Sequence, residues 1–274
     1  MHFGGNTSCL EIFDAGEPQI ILDAGTGIRG LGHDLLTNRK DQKDIHIFFS
    51  HTHWDHIQGL PFFVPLLIKG YNIHIYGPVH YEKSLEEILD RQMEYTYFPV
   101  RVSELSSNIV YHELKEEEFE IGGYKVKTKY LNHPVLCLGY RFEKLGKSIV
   151  YCTDHEPYYN YLGETENREE MERIIKEQNT HLENFVRNAT LLVMDSQYTP
   201  EEYVNKVGWG HSSTKHTMDL VLATGVKRVA LSHHDPDRTD EDEKRIISNL
   251  QVHLNDSKEL TEIFGSREGL LVEV

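Results

Sequence analysis

His51-Thr52-His53-Trp54-Asp55-His56 decides how this chain reads: three imidazoles and a carboxylate lie within six residues, directly after the apolar run Ile45 to Phe49. A buried strand that empties into a loop rich in metal ligands is a common way to build a metal centre, because the strand fixes the loop's origin and the loop carries the donors. In a chain with 17 His, an accidental HxHxDH pattern is expected roughly 0.004 times. The competing reading is a histidine-rich surface turn, but such turns seldom repeat this spacing just past a buried strand.

Composition sets the frame around the motif. With 274 residues, 39% of them hydrophobic, the chain can bury a sizeable core, and one domain over residues 1–274 is expected. No stretch of eighteen apolar residues occurs, and Met1 to Cys9 lacks a basic region followed by an apolar run. The expectation is a soluble, cytoplasmic protein without a membrane partner. Cys9, Cys137 and Cys152 are odd in number and widely spaced, which fits reduced thiols in apolar strands. The net charge of −16 is spread over acidic runs such as Glu113 to Glu120 and Glu164 to Glu183, read as solvated helix faces. A surface of that sign repels polyanions, so long nucleic acid is disfavoured as a substrate.

Short β-rich runs recur at Cys9–Phe13, Gln19–Asp23, Ile45–Phe49, Asn72–Tyr76, Tyr124–Tyr130, Leu138–Phe142, Ser148–Cys152, Thr190–Met194, Val226–Leu231 and Leu270–Val274. Helical patterns separate some of them, at Ile28–Leu36, Tyr81–Met93, Glu166–Arg187, Thr214–Thr224 and Asp240–Leu254. This mixture predicts an α/β (α+β) fold with two mixed sheets and outer helices. No internal repeat, low-complexity tract or Pro/Gly linker interrupts it.

One loop supplies only part of a two-metal site, and three further donors stand just past other predicted strands. His133 lies in Leu131-Asn132-His133-Pro134, Asp154 in Tyr151-Cys152-Thr153-Asp154, and His233 in Leu231-Ser232-His233-His234-Asp235-Pro236. Taken singly, each reads more readily as a turn or capping residue. Their shared placement after strands is what links them to the first motif. His155 and His234 are neighbours that local spacing alone does not exclude.

The order HTHWDH, NHP, YCTD, LSHHDP resembles the metallo-β-lactamase superfamily of metal-dependent hydrolases over essentially the whole chain. Gly4-Gly5-Asn6-Thr7-Ser8-Cys9, Leu22-Asp23-Ala24-Gly25-Thr26-Gly27 and Gly208-Trp209-Gly210-His211-Ser212-Ser213 are similar to its RNase Z-like phosphodiesterase branch. Within that branch the likeness is nearest to cyclic-nucleotide-degrading phosphodiesterases of the anti-Pycsar type, which act in phage counter-defence. The resemblance implies a four-layer αβ/βα sandwich. Relatives often carry an additional leading strand, whereas this sequence starts almost at Gly4-Gly5-Asn6-Thr7-Ser8-Cys9; a missing edge strand would weaken one sheet margin without touching a ligand.

The resemblance also implies the ligand set: His51, His53 and His133 for one metal, Asp55, His56 and His233 for the other, and Asp154 bridging them. Imidazole and carboxylate donors suit two zinc ions, and manganese or iron are admitted by the same set. Two such ions supply the hydroxide that attacks phosphorus and stabilise the developing charge. Their positive field attracts a small phosphate even on an acidic protein.

His211, in the Gly-rich loop, is the implied proton donor to the leaving oxygen, held by Asp195 of Val193-Met194-Asp195-Ser196; Asp55 joins them among the catalytic residues. Read from the loop alone, His211 or Ser212 merely starts the following helix. Asp23 suits either a carboxylate orienting a ligand imidazole or a turn residue. Tyr95, Tyr97 and Phe98, with Tyr158 and Tyr159, form either walls for a stacked base or core and dimer contacts. Ser212 is a further substrate contact.

The expected activity is hydrolysis of 3′,5′-cyclic mononucleotides to 5′-monophosphates by a homodimer. The alternatives are RNase Z-type tRNA 3′ cleavage, which normally uses a basic exosite arm not seen in this sequence, and non-catalytic sequestration of a signal.

Overall fold

The computed structural model describes residues 2–159, 168–255 and 257–274. The chain divides into two compact units: Gly5–Tyr124, and Lys125–Val274 together with Met1–Gly4. The first contains β1 (Leu10–Ile12), β2 (Gln19–Leu22), α1 (Ile28–Asn38), β3 (Asp44–Phe48), α2 (Trp54–Ile57), β4 (Asn72–Pro78), α3 (Leu85–Gln92), β5 (Asn108–Leu114) and β6 (Glu118–Ile121). The second is built from β7 (Tyr124–Leu131), β8 (Cys137–Lys144), β9 (Lys147–Cys152), α4 (Arg168–Val186), β10 (Leu191–Asp195), α5 (Pro200–Tyr203), α6 (Thr214–Thr224), β11 (Arg228–Ser232), α7 (Asp240–Leu250) and β12 (Glu262–Gly265).

The first sheet runs β1-β2-β3-β4-β5, antiparallel between β1 and β2 and parallel from β2 onward. β3 has a strand on each side, so four of its five residues are buried and the run reads as almost continuously apolar. Ile47 lies level with Ile21 and Ile75, and these side chains join Ile28, Leu35, Phe63, Leu85 and Leu89 in one core. Each such buried side chain contributes about 1.5–3 kcal/mol. Ser84 caps α3 reciprocally with Glu87, so this helix begins four residues later than its apolar pattern predicts.

The second sheet orders β12-β11-β10-β9-β8-β7, with β6 beyond β7 across the Gly122–Gly123 turn. β7-β8-β9 is an antiparallel meander, and β9-β10-β11-β12 is parallel. Both sheets are therefore mixed, as the alternation of strands and helices predicts. α6 covers Thr214–Thr224 as expected, opened by the Ser213 cap and closed by Gly225 in the left-handed conformation.

Three further sequence expectations fail. Leu270–Val274 forms no strand; the sheet ends instead on Glu262–Gly265, which is shorter but pairs in register with Arg228–Leu231. The acidic run Glu113–Glu120 is not a helix face: it spans the end of β5 and most of β6, whose exposed positions carry the charge. The pattern ending at Leu254 changes at Gln251 from α-helix to a 3₁₀ turn. The helix predicted from Glu166 is seen from Arg168 to Val186; its first positions, and the start of the acidic run at Glu164, lie outside the described residues. No helix of the described residues is long and apolar enough to cross a membrane.

Candidate active site

In the first unit, β3 delivers His51, His53, Asp55 and His56 as one cluster. His53 ends the extended segment and α2 starts at Trp54, so the helical turn folds Asp55 and His56 back beside His51. The rings of His51 and His53 lie 4.5 Å apart, those of His51 and His56 4.3 Å, and His56 Nε2 is 3.1 Å from Asp55 Oδ2. Gly59 makes room for this turn: a Cβ there would stand 2.0 Å from the carbonyl oxygen of Gly25.

Proton counting fixes the tautomers of two of these rings. Asp23, wholly buried, accepts the backbone N–H of Ser50 at 2.7 Å, the Ser50 hydroxyl at 2.8 Å and His56 Nδ1–H at 2.8 Å. The single Ser50 hydroxyl proton is thus committed to Asp23, and its oxygen accepts from His51 Nδ1, 3.0 Å away. Both imidazoles carry their proton on Nδ1 and present a lone pair at Nε2, which is the tautomer a metal ion takes. Asp23 thus bonds His56 directly and reaches His51 through Ser50. Ser50, the hydroxyl that relays this order, was missed although it directly precedes His51.

In the second unit, Asp154 lies between two imidazoles on opposite oxygens. His233 Nε2 is 3.4 Å from Oδ1 and His133 Nε2 is 3.8 Å from Oδ2, while the Thr153 hydroxyl donates to Oδ1 at 2.6 Å. A tetrahedral zinc site with bonds near 2.1 Å has ligand–ligand edges of about 3.4 Å, so His133, Asp154 and His233 are spaced as metal ligands would be. His133 Nδ1 donates to the Gly210 carbonyl at 3.0 Å, which again leaves Nε2 as the lone-pair nitrogen. The donor chemistry in both units suits divalent metal.

His211 stands over the same group. Its ring stacks on His233 at 4.8 Å and meets His133 edge-on at 5.3 Å, and its Nδ1–H donates to Asp195 Oδ2 at 2.8 Å. Asp195 is wholly buried and also accepts the backbone N–H groups of His155 and Gln197, each at 3.1 Å. The nearby Tyr198 hydroxyl is pushed up to about 12, by burial first and then by Asp195.

The two histidines that spacing left open separate clearly. His155 is buried, burial pushes it down to about 3, and its Nδ1 accepts the backbone N–H of Asn132. His234 turns away to the Ser266 carbonyl and Glu243. Asp23, Asp154 and His233 all adopt positive φ (60°, 49° and 58°), three of the five non-glycine residues that do so among the described residues. Strain of this kind concentrates at functional sites.

Glu156 was missed by sequence reasoning. Fully buried, it accepts from the Tyr203 hydroxyl at 2.5 Å, Gly208 N–H at 2.9 Å and Gly210 N–H at 2.8 Å, and so pins the loop that carries His211. Gly210 has φ +86°, and a Cβ on it would fall 2.5 Å from His133 Nδ1. An acid two residues past Asp154 was the available signal, but its partners are 47 to 54 positions away.

Ser212 requires a correction. It is wholly buried and donates its hydroxyl to the His155 carbonyl at 2.6 Å, so it ties the loop down rather than facing a substrate. Tyr95 and Tyr97 are exposed; Tyr95 donates to Glu104 beneath the Arg101 guanidinium, and Phe98 packs edge-on against Phe62. Tyr158 is half-buried, its backbone N–H and carbonyl both bonded to the Asn179 side chain, and Tyr159 beside it is also half-buried.

Residues 19–234 match the family described as the β-lactamase superfamily domain. Ribonuclease Z of Lactococcus lactis subsp. cremoris (strain SK11) is 26% identical over 260 residues, covering 82% of this chain and 81% of that protein. Among solved structures, a diphosphatase from the PhnP family has a TM-score of 0.64 at 18% identity, over 98% of this chain and 84% of the other. Zn2+-bound PqqB from Methylobacterium extorquens has a TM-score of 0.65 at 15% identity, over 97% of this chain and 87% of its own. The chain belongs to the metallo-β-lactamase superfamily.

Proposed function

We propose that this protein hydrolyses 3′,5′-cyclic mononucleotides to nucleoside 5′-monophosphates at a dinuclear metal centre. One ion is assigned to His51, His53 and His133, the other to Asp55, His56 and His233, with Asp154 shared. The bound ions, zinc by donor type, would supply a nucleophile at neutral pH and offset charge on the phosphoryl oxygens. The chain's own part begins with the tautomers: Asp23, through Ser50, holds His51 and His56 with Nε2 presented, and the Gly210 carbonyl does the same for His133.

His211 carries the proton step. As the P–O3′ bond breaks, its Nε2–H transfers a proton to the departing 3′ oxygen, while Asp195 accepts from Nδ1 and fixes the ring's orientation. Glu156 keeps the Gly208–Gly210 backbone in place so that this ring stays aligned.

The pair formed by buried Asp195 and half-buried His211, beside His133 and His233, is the observation that carries the reading of phosphoester chemistry with a protonated leaving group. The preference for a small substrate rests on the net charge of −16, which disfavours a long polyanion. A second reading, tRNA 3′ processing, is favoured by the similarity to ribonuclease Z over most of the chain. Incubation with cyclic purine and pyrimidine nucleotides, a synthetic phosphodiester, a thioester and a tRNA precursor separates the two. Release of 5′-monophosphates supports the proposal; turnover of only the thioester or the tRNA precursor overturns it. Homodimerisation is part of the proposal, and sedimentation at micromolar concentration tests it.

A further inference from the structure

We propose that Asp44, His46 and His74 form an additional divalent-metal site of the zinc class on the first sheet, with Tyr76 and His112 orienting its two imidazoles. The cluster lies at the start of β3 and β4, five residues before His51, or roughly 16 Å along an extended chain. It shares no residue with the centre described above.

Alternation along the strands builds it. Ile45, Ile47, Ile73 and Ile75 enter the core, so Asp44, His46 and Phe48 on β3, and Asn72, His74 and Tyr76 on β4, share the opposite face. His46 pairs in register with His74, and Tyr76 with His112 of β5. Neighbouring strands therefore stack these rings: His46 on His74 at 4.7 Å and 9°, Tyr76 on His112 at 4.3 Å and 10°.

The inner geometry is that of a ligand set. Asp44 Oδ1 lies 3.6 Å from His46 Nε2 and 3.9 Å from His74 Nε2, and one donor atom from each residue lies within 4.8 Å of the others. These separations are longer than hydrogen bonds, yet close to the edge of about 3.4 Å that a tetrahedral site needs. The outer nitrogens are held as in metal-binding histidines: His46 Nδ1 lies 3.0 Å from the Tyr76 hydroxyl and His74 Nδ1 3.0 Å from His112 Nε2.

Asp44 is more than half exposed and gives the ion a path in. The remaining ligand positions would be filled by water.

The test is zinc stoichiometry by elemental analysis of the full chain, equilibrated with buffered zinc, for wild type, Asp44→Asn and His74→Gln. Both substitutions are close in shape and partly exposed, and circular dichroism checks that they fold. Each variant is expected to hold about one zinc equivalent fewer than wild type, with turnover unchanged, and to lose one component of the visible spectrum after Co2+ substitution. Equal zinc content in all three proteins would overturn the site and leave the stack as packing alone. Because the readout is a difference in bound metal, it stands or falls apart from the catalytic reading.

Discussion

Removing the Glu156 carboxylate tests how the His211 loop is held. In Glu156→Ala, the Tyr203 hydroxyl and the backbone N–H groups of Gly208 and Gly210 all lose their acceptor, and the Gly210 nitrogen is buried. A donor stranded out of water costs about 1–3 kcal/mol. Tyr203 can rotate its hydroxyl, so two stranded amides set the scale, at about 2–6 kcal/mol of local stability. Each 1.4 kcal/mol is tenfold in an equilibrium, so amide exchange at Gly208 and Gly210 should quicken by roughly 10–10⁴.

Loosening by about 1 Å at a reacting group costs on the order of 10² in rate, and kcat should fall by that much with a smaller change in KM. Glu156→Gln can place its amide oxygen at the Oε2 position, where it keeps Gly210 and the 3.1 Å contact to Gly208. It should therefore stay within roughly tenfold of wild type. Exchange by NMR and steady-state hydrolysis of cyclic nucleotide are the assays. Wild-type kcat with unchanged Gly210 exchange in Glu156→Ala would refute the reasoning.

Other outcomes follow from the same geometry. Asp23→Ala frees the Ser50 hydroxyl and His56 Nδ1, so metal affinity should drop about 10–100-fold while kcat recovers at high zinc; zinc titration checks this. His211→Ala should keep its metal and lose roughly 10²–10⁴ in rate, measured as kcat beside metal content. In chelator, thermal stability should fall as pH drops from about 6.5 toward 4. Unfolded His46 binds a proton near 6.5 but the folded ring only near 4, so the unfolded state takes up more protons across that window; this is worth on the order of 2 kcal/mol. His46→Gln should make that segment of the melting-temperature profile less steep, with His155, pushed down to about 3 by burial, keeping part of the slope.

How much of this was legible in the sequence depended on range. HTHWDH was, because strand, turn and donors are contiguous and β3 lies between two parallel partners that make its run apolar. Residues 28–38 and 214–224 declared their helices through periodicity and, for the second, a Ser cap and a terminal Gly. His133, Asp154 and His233 were weak singly, each past a different strand, and gained meaning from that shared placement and from the order of family motifs.

Glu156 and Ser50 act through partners the linear text does not mark. β5 and β6 were hidden because Asn108–Leu114 is only partly buried and Glu118–Ile121 carries its charge on alternate positions. Leu270–Val274 shows the reverse error: apolar residues without a neighbouring strand remain at the surface.

The central claim meets its most direct test in one titration: hydrolysis of 3′,5′-cyclic nucleotides by purified protein before chelation, after chelation, and on adding zinc back stepwise. 5′-Monophosphate formation is expected to disappear with the metal and to return as zinc is restored. Undiminished turnover in protein shown by elemental analysis to hold no metal would contradict it.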